Sequence, residues 1–166
     1  MKDAVGSTML VYIVIIVVGI VGSILIASNM YTSAYKAKNN IVSTINRYYM
    51  VNGDTDCFNN KTGNCITSID NTLRKMGYHT VADCDKVINK VSEKAKKDDE
   101  GNDLVSIEQV FPESSDKGYC IYKIALVNNE YYYTIVTFSH LNINILGINN
   151  LFSTPVYGET RMYYNS

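Results

Sequence analysis

The chain has no tryptophan, only two prolines, only two histidines and a net charge of −1. So even a charge balance leaves a polyanion-binding role without electrostatic support. No P-loop, G-x-G-x-x-G, H-E-x-x-H or C-x-x-C occurs, so phosphate-cradling, dinucleotide, metalloprotease and dithiol signatures are all missing. The cysteines lack any C-x2-4-C pair, and His79 and His140 are not placed to complete a zinc site. Scarce Trp and Pro beside abundant Asn, Ile, Lys and Tyr read first as low-GC coding bias. The most informative absence is local: the 32 residues from Ala4 to Tyr35 carry no charge.

The apolar heart of that stretch runs from Met9 to Ala27. Nineteen residues at about 1.5 Å each cover roughly the 30 Å hydrocarbon core of a bilayer. The run is too long and uniform for a secretory signal peptide, and no A-x-A-type cleavage site follows it. A buried core helix of this kind needs a larger domain than the remaining residues supply. One membrane helix over 7–28 is therefore expected, with membrane lipid as its first partner.

Cys57, Cys65, Cys84 and Cys120 all lie beyond that anchor. Four cysteines in a tethered ectodomain suggest two disulfides, with three connectivities allowed. Local closure, Cys57–Cys65 and Cys84–Cys120, is preferred because the first loop is short and rich in Asn and Gly. A zinc site and four reduced, buried cysteines are the competing readings. The positive-inside rule argues against an outside domain, since Lys36, Lys38 and Arg47 follow the anchor while Lys2 is offset by Asp3. The cysteines are given the greater weight, and an extracytoplasmic domain is expected.

Beyond the anchor, Ala34, Ala37, Ile41, Ile45 and Tyr48 recur at helical spacing on one face. No Pro or Gly interrupts Ser23 to Val51, and Asn52-Gly53-Asp54 suits a helix stop. The spacing predicts an amphipathic continuation over 29–50, joined to the anchor as one rod; a break near Asn29 is the alternative. The stripe needs something to pack on, most simply a sheet of the same chain. Ile66, Ile69, Leu73 and Met76 give a second helix with Gly77 at its end, and Val81, Cys84, Val87, Ile88 and Val91 a third. The period then changes to two. Strands are expected over Leu104–Phe111, Tyr119–Val127, Tyr131–Ser139, Leu141–Ile145 and Pro155–Tyr164, with a hairpin at Asn128-Asn129-Glu130 and a bulge at Gly158. Helices followed by strands mean an α+β domain over 51–166, with four to five antiparallel strands.

A long N-terminal helix, half of it membrane anchor, ahead of an antiparallel sheet resembles the type IV pilin-like architecture. Lys2 followed by Gly6 is similar to a short prepilin leader over 1–6. Gly6 precedes Ser7-Thr-Met-Leu, and Val11-Tyr12 stand where prepilins of the tight-adherence class have Glu-Tyr. The C-terminal stretch, Leu146-Gly147 and then Thr154-Pro-Val-Tyr-Gly-Glu-Thr-Arg-Met162, is similar to the final strands of TadE-like minor pseudopilins. The resemblance implies cleavage between Gly6 and Ser7 by a prepilin peptidase, and assembly with other pilin-like subunits through the N-terminal helix. It also carries a departure. The glutamate that neutralises a neighbour's new N-terminal amine is absent at Val11, so repeated stacking leaves a buried unpaired charge. Tip or minor pseudopilins can dispense with that residue.

No nucleophile constellation is present, and His140 reads as a structural histidine in a strand. The carboxylates at Asp98-Asp-Glu100 and Asp103 lack EF-hand spacing and read as an acidic turn. Asn60-Lys61-Thr62 is a chance-level sequon. Gly19 and Ser23 form a small-xxx-small face on the anchor. The expectation is a non-enzymatic structural subunit with no cofactor, metal or nucleic acid. Its working residues are Gly6 and Ser7 for processing, Gly19, Ser23, Ile41 and Ile45 for helix packing, and the four cysteines for stability. A single-pass membrane binding or adhesion protein that never enters a filament is the alternative.

Overall fold

A computed structural model describes residues 2–52, 57–58, 64–78, 83–95, 104–112, 117–127, 129–141 and 152–164. Its first element, α1 (Lys2–Asn52), is one helix of 51 residues, about 75 Å long. It has no break near Asn29. Three of its hydroxyls are absorbed into the helix itself: Ser23, Thr32 and Thr44 each donate to the carbonyl four residues back at 2.8 Å. The helix stops at Asn52, where the Asn-Gly-Asp stretch begins.

Helix α2 (Asn64–Lys75) ends where its sequence says it must. Gly77 takes φ +68°, its N–H bonds Arg74 O at 3.0 Å, and the Tyr78 N–H reaches back to Leu73 O at 3.0 Å. Those nested bonds satisfy the last carbonyls, and Leu73 and Tyr78 close the motif in the same apolar cluster. Helix α3 (Asp85–Ala95) buries Val87, Val91 and Ala95 along one stripe. Val81, expected within it, lies outside the described residues.

Strands β1 (Leu104–Phe111), β2 (Tyr119–Leu126), β3 (Glu130–Leu141) and β4 (Phe152–Glu159) form an antiparallel sheet in that order. A two-residue strand, β5 (Tyr163–Tyr164), also pairs with β3. Alternation sorts the sheet's side chains into two cores. Tyr119, Ile121, Tyr131, Tyr133 and Ile135 pack with α1 and α2; Cys120, Tyr122, Ile124, Leu126, Tyr132, Val136 and Phe138 pack with α3. The sheet is therefore covered on both faces, as a middle layer.

The α1 stripe settles on β3 and β4. Ala34, Ala37, Ile41 and Ile45 are all but wholly buried. The two alanines let the helix come close enough for Thr137 Oγ1 to donate to Ala34 O at 2.9 Å. Gly158 completes that approach. It pairs with Ile135 in unbroken register, so it is not the expected bulge. A Cβ there would stand 2.5 Å from Lys38 Cδ on α1. The irregularity falls just beyond, where Thr160 and Tyr133 exchange two 3.0 Å bonds and split the expected last strand into β4 and β5.

The other departures are small. β2 ends at Leu126, and β3 starts at Glu130 and runs through His140 to Leu141, so Leu141 begins no new strand. Residues 142–145 lie outside the described residues. Asn129 turns the hairpin at φ 63°, a conformation Asn tolerates.

Ile45→Ala is expected to cost about 2–5 kcal/mol of domain stability through the cavity it leaves. Gly19→Ala, where an added Cβ meets nothing within 4 Å, is expected to cost almost none. Urea unfolding of the detergent-solubilised chain measures both.

Candidate functional site

Two surfaces stand out among the described residues. The first is the N-terminal half of α1. It meets the length and apolarity needed to cross a membrane, with a mean hydropathy of 3.0 over its most apolar window and none of that window buried. From Met9 to Val21 every residue is exposed. Tyr12 and Tyr31 stand near the two ends of the span, about 28 Å apart, where interfacial tyrosines belong.

The expected packing residues divide along the helix. Ile41 and Ile45 are spent on this chain's own sheet and offer nothing to a neighbouring helix. Gly19 is open, while Ser23 Oγ is engaged by the Gly19 carbonyl, so any close packing there uses shape and not a free hydroxyl. Gly6 and Ser7 fall in the first turns of α1; the Ser7 side chain lies outside the described residues.

The second surface is the opposite end of the domain. Asn46 accepts a 2.7 Å bond from the Tyr163 hydroxyl, and Tyr49 packs on Tyr163 with ring centroids 4.1 Å apart. Tyr131, Tyr133 and Phe58 complete an aromatic cluster, with the Tyr49 and Tyr133 hydroxyls bonded to each other. Around this cluster stand Met50, Val51, Val127, Met162 and Tyr164, all exposed. They are the exposed large apolar residues of the domain beyond Tyr35, among the described residues, and they gather at one end. Sequence reading missed this surface. Its signal was the pairing of Tyr133 and Tyr163 with Tyr49, which needs the register of β3 and β5 against α1 to be seen.

Both disulfides join residues close in the chain. Cys57–Cys65 closes the turn between α1 and α2, and Cys84–Cys120 ties the start of α3 to β2. Sequence separations of 8 and 36 restrict the unfolded chain by about 2–3 and about 4 kcal/mol in the chain-entropy account. The second bond has the larger task, because α3 is the sole helix on its face of the sheet among the described residues.

The polar groups serve the scaffold. Asp70 on α2 accepts from the Tyr119 hydroxyl at 2.9 Å and pairs with Lys117, binding α2 to the start of β2. The Tyr78 hydroxyl accepts the Phe138 N–H at 2.8 Å and sits 2.9 Å from the Phe138 and Gly118 carbonyls. It takes the place of the next ladder rung beyond the Tyr119–Thr137 pair. No group of three or more His, Cys, Asp or Glu able to hold a metal occurs among the described residues. His79, the His140 side chain, Asn60 and the carboxylates at 98–103 lie outside them.

Burial pushes the Tyr119 phenol far up, and the neighbouring Asp70 charge and hydrogen bond add to it. Burial also raises Tyr122, with Asp85, Tyr157 and Asp83 contributing. Both phenols thus stay protonated at physiological pH. Their folded values lie above the unfolded value near 10, so their contribution to stability is full below about pH 10 and is lost as the pH rises past it. Stability from urea unfolding is expected to stay level from about pH 7 to 9 and to fall above about pH 10. Tyr122→Phe should remove part of that alkaline fall, and tyrosinate absorbance, free of tryptophan, follows the same titration.

Comparison with protein-family models, with curated proteins and with solved structures gives no match.

Proposed function

We propose that the chain is a membrane-anchored, pilin-like structural subunit of the minor-pseudopilin kind, acting without catalysis in the assembly or capping of a surface filament or secretion apparatus. The observation that carries this reading is α1 itself. Its most apolar window is wholly unburied, and one stripe of its second half is buried on an antiparallel sheet. A helix so divided can pack beside equivalent helices of partner subunits in or just above the bilayer. Dispersion between closely approached helices drives such association, and open Gly19 lowers the barrier to it.

The two disulfides favour an oxidising compartment and hence a domain outside the cytoplasm. Prepilin peptidase is the processing partner, acting between Gly6 and Ser7. The apolar far end, with Met50, Val51, Val127, Met162 and Tyr164, is the contact surface for capping or adhesion.

One observation favours a second reading. Val11 stands where a stacking subunit needs a glutamate, and a single-pass binding or adhesion protein with a disulfide-bonded ectodomain has no need of it.

The intact mass of the membrane-extracted, unreduced protein is expected to begin at Ser7 and to lack four thiol hydrogens. In-membrane cross-linking is expected to give oligomers that Gly19→Leu weakens. A full-length, disulfide-bonded chain that stays monomeric supports the second reading. A full-length, fully reduced monomer overturns both.

A further inference from the structure

Oxidation chemistry singles out one end of this domain. All four cysteines are held in disulfides, and the chain has no tryptophan. Thioether sulfur is therefore the side-chain group left that peroxides oxidise most readily. The sequence has six methionines. Met1 lies outside the described residues, and Met9 stands on the apolar span of α1. The other four divide by what surrounds them.

Met30 and Met76 are each partly covered. Met30 continues the packed stripe of Ala34 and Ala37 on α1. The Met76 sulfur accepts the Asn40 amide N–H at 3.1 Å, which occupies a lone pair that an oxidant has to reach. Met50 and Met162 are open by contrast, 67% and 38% exposed. Met50 follows Tyr49 in the last turn of α1, and Met162 directly precedes Tyr163, the first residue of β5. Those two rings pack with centroids 4.1 Å apart, so both methionines stand at the far end, beside Val51, Val127 and Tyr164. Neither belongs to a buried cluster. An oxygen added to either sulfur meets solvent and burdens no core contact.

We propose that Met50 and Met162 are oxidation sites through which a peroxide silences the apolar far-end surface. In each, a sulfur lone pair attacks a peroxide oxygen. An S–O bond forms, the O–O bond breaks, sulfur gives up two electrons, and hydrogen peroxide leaves as water. The sulfoxide replaces a flexible apolar tip with a polar one. Two of the five exposed apolar side chains at that end thus become polar. The disulfides favour an oxidising compartment, where such oxidants are met.

The inference rests on the far end being a contact surface, and the test separates the two. The full-length chain is reconstituted in phosphatidylcholine nanodiscs, which cover the apolar span, and its retention on phenyl-agarose beads is compared with that of empty nanodiscs. Limiting hydrogen peroxide is expected to add one oxygen each to Met50 and Met162 before Met30 or Met76 gains any, by peptide mass mapping. Retention is expected to fall roughly tenfold, with far-ultraviolet circular dichroism and both disulfides unchanged. In a chain carrying Met50→Leu and Met162→Leu, retention is expected to stay at its own starting value through the same treatment. The inference is overturned if Met30 or Met76 oxidises as early as the exposed pair, or if the oxidised chain is retained as before. It is equally overturned if peroxide lowers retention of the leucine chain as much as that of the natural one. If the untreated chain is retained no better than empty nanodiscs, the contact-surface reading fails and takes the inference with it.

Discussion

The close approach of α1 to β3 and β4 is the contact on which the rest of the architecture depends. It needs small residues on both partners: Ala34 and Ala37 on the helix, Gly158 on the sheet. With those in place, Thr137 can bond the helix backbone, and Ile41 and Ile45 fill the space above. Each fully buried aliphatic side chain in that stripe stabilises the pairing by about 1.5–3 kcal/mol. Once α1 is seated, β3 is covered on one face and needs a cover on the other. Helix α3 supplies it, held by the Cys84–Cys120 bond.

A single helix here carries two kinds of surface. Its N-terminal half is apolar all round, as suits a segment apolar and long enough to cross a membrane. Its second half has one apolar face, and its polar residues crowd the remaining circumference. Nothing in the backbone marks the change; only the side chains do. In the domain proper, Asp70, Lys117, Tyr78 and Thr160 each complete a junction between elements.

Much of this was legible in the residues. The period-3.6 stripe from Ala34 to Ile45 marked the packed face, Gly77 marked the end of α2, and Pro112 marked the end of β1. Local cysteine spacing pointed to the pairing found. Gly158 was misread because a glycine in a strand signals either a bulge or a close neighbour, and the neighbour, Lys38, is 120 residues away. The strand break moved to Thr160 because its cause is a hydrogen bond to Tyr133 across the sheet. The far-end surface was invisible for the same reason. Met50, Val127 and Met162 are ordinary residues in sequence and become a patch only when α1, the β2–β3 hairpin and β5 converge.

The unbroken course of α1 has a mechanical meaning. With no proline or glycine between Ser23 and Asn52, the helix is a shaft without a joint, and the sheet is bolted to its upper half. Turning the shaft by one residue's worth, about 100°, swings the far end of the domain through the same angle. Axial load on that end passes straight down α1 with no compliant linker to absorb it. Such a body conducts torque and tension from one end of the helix to the other.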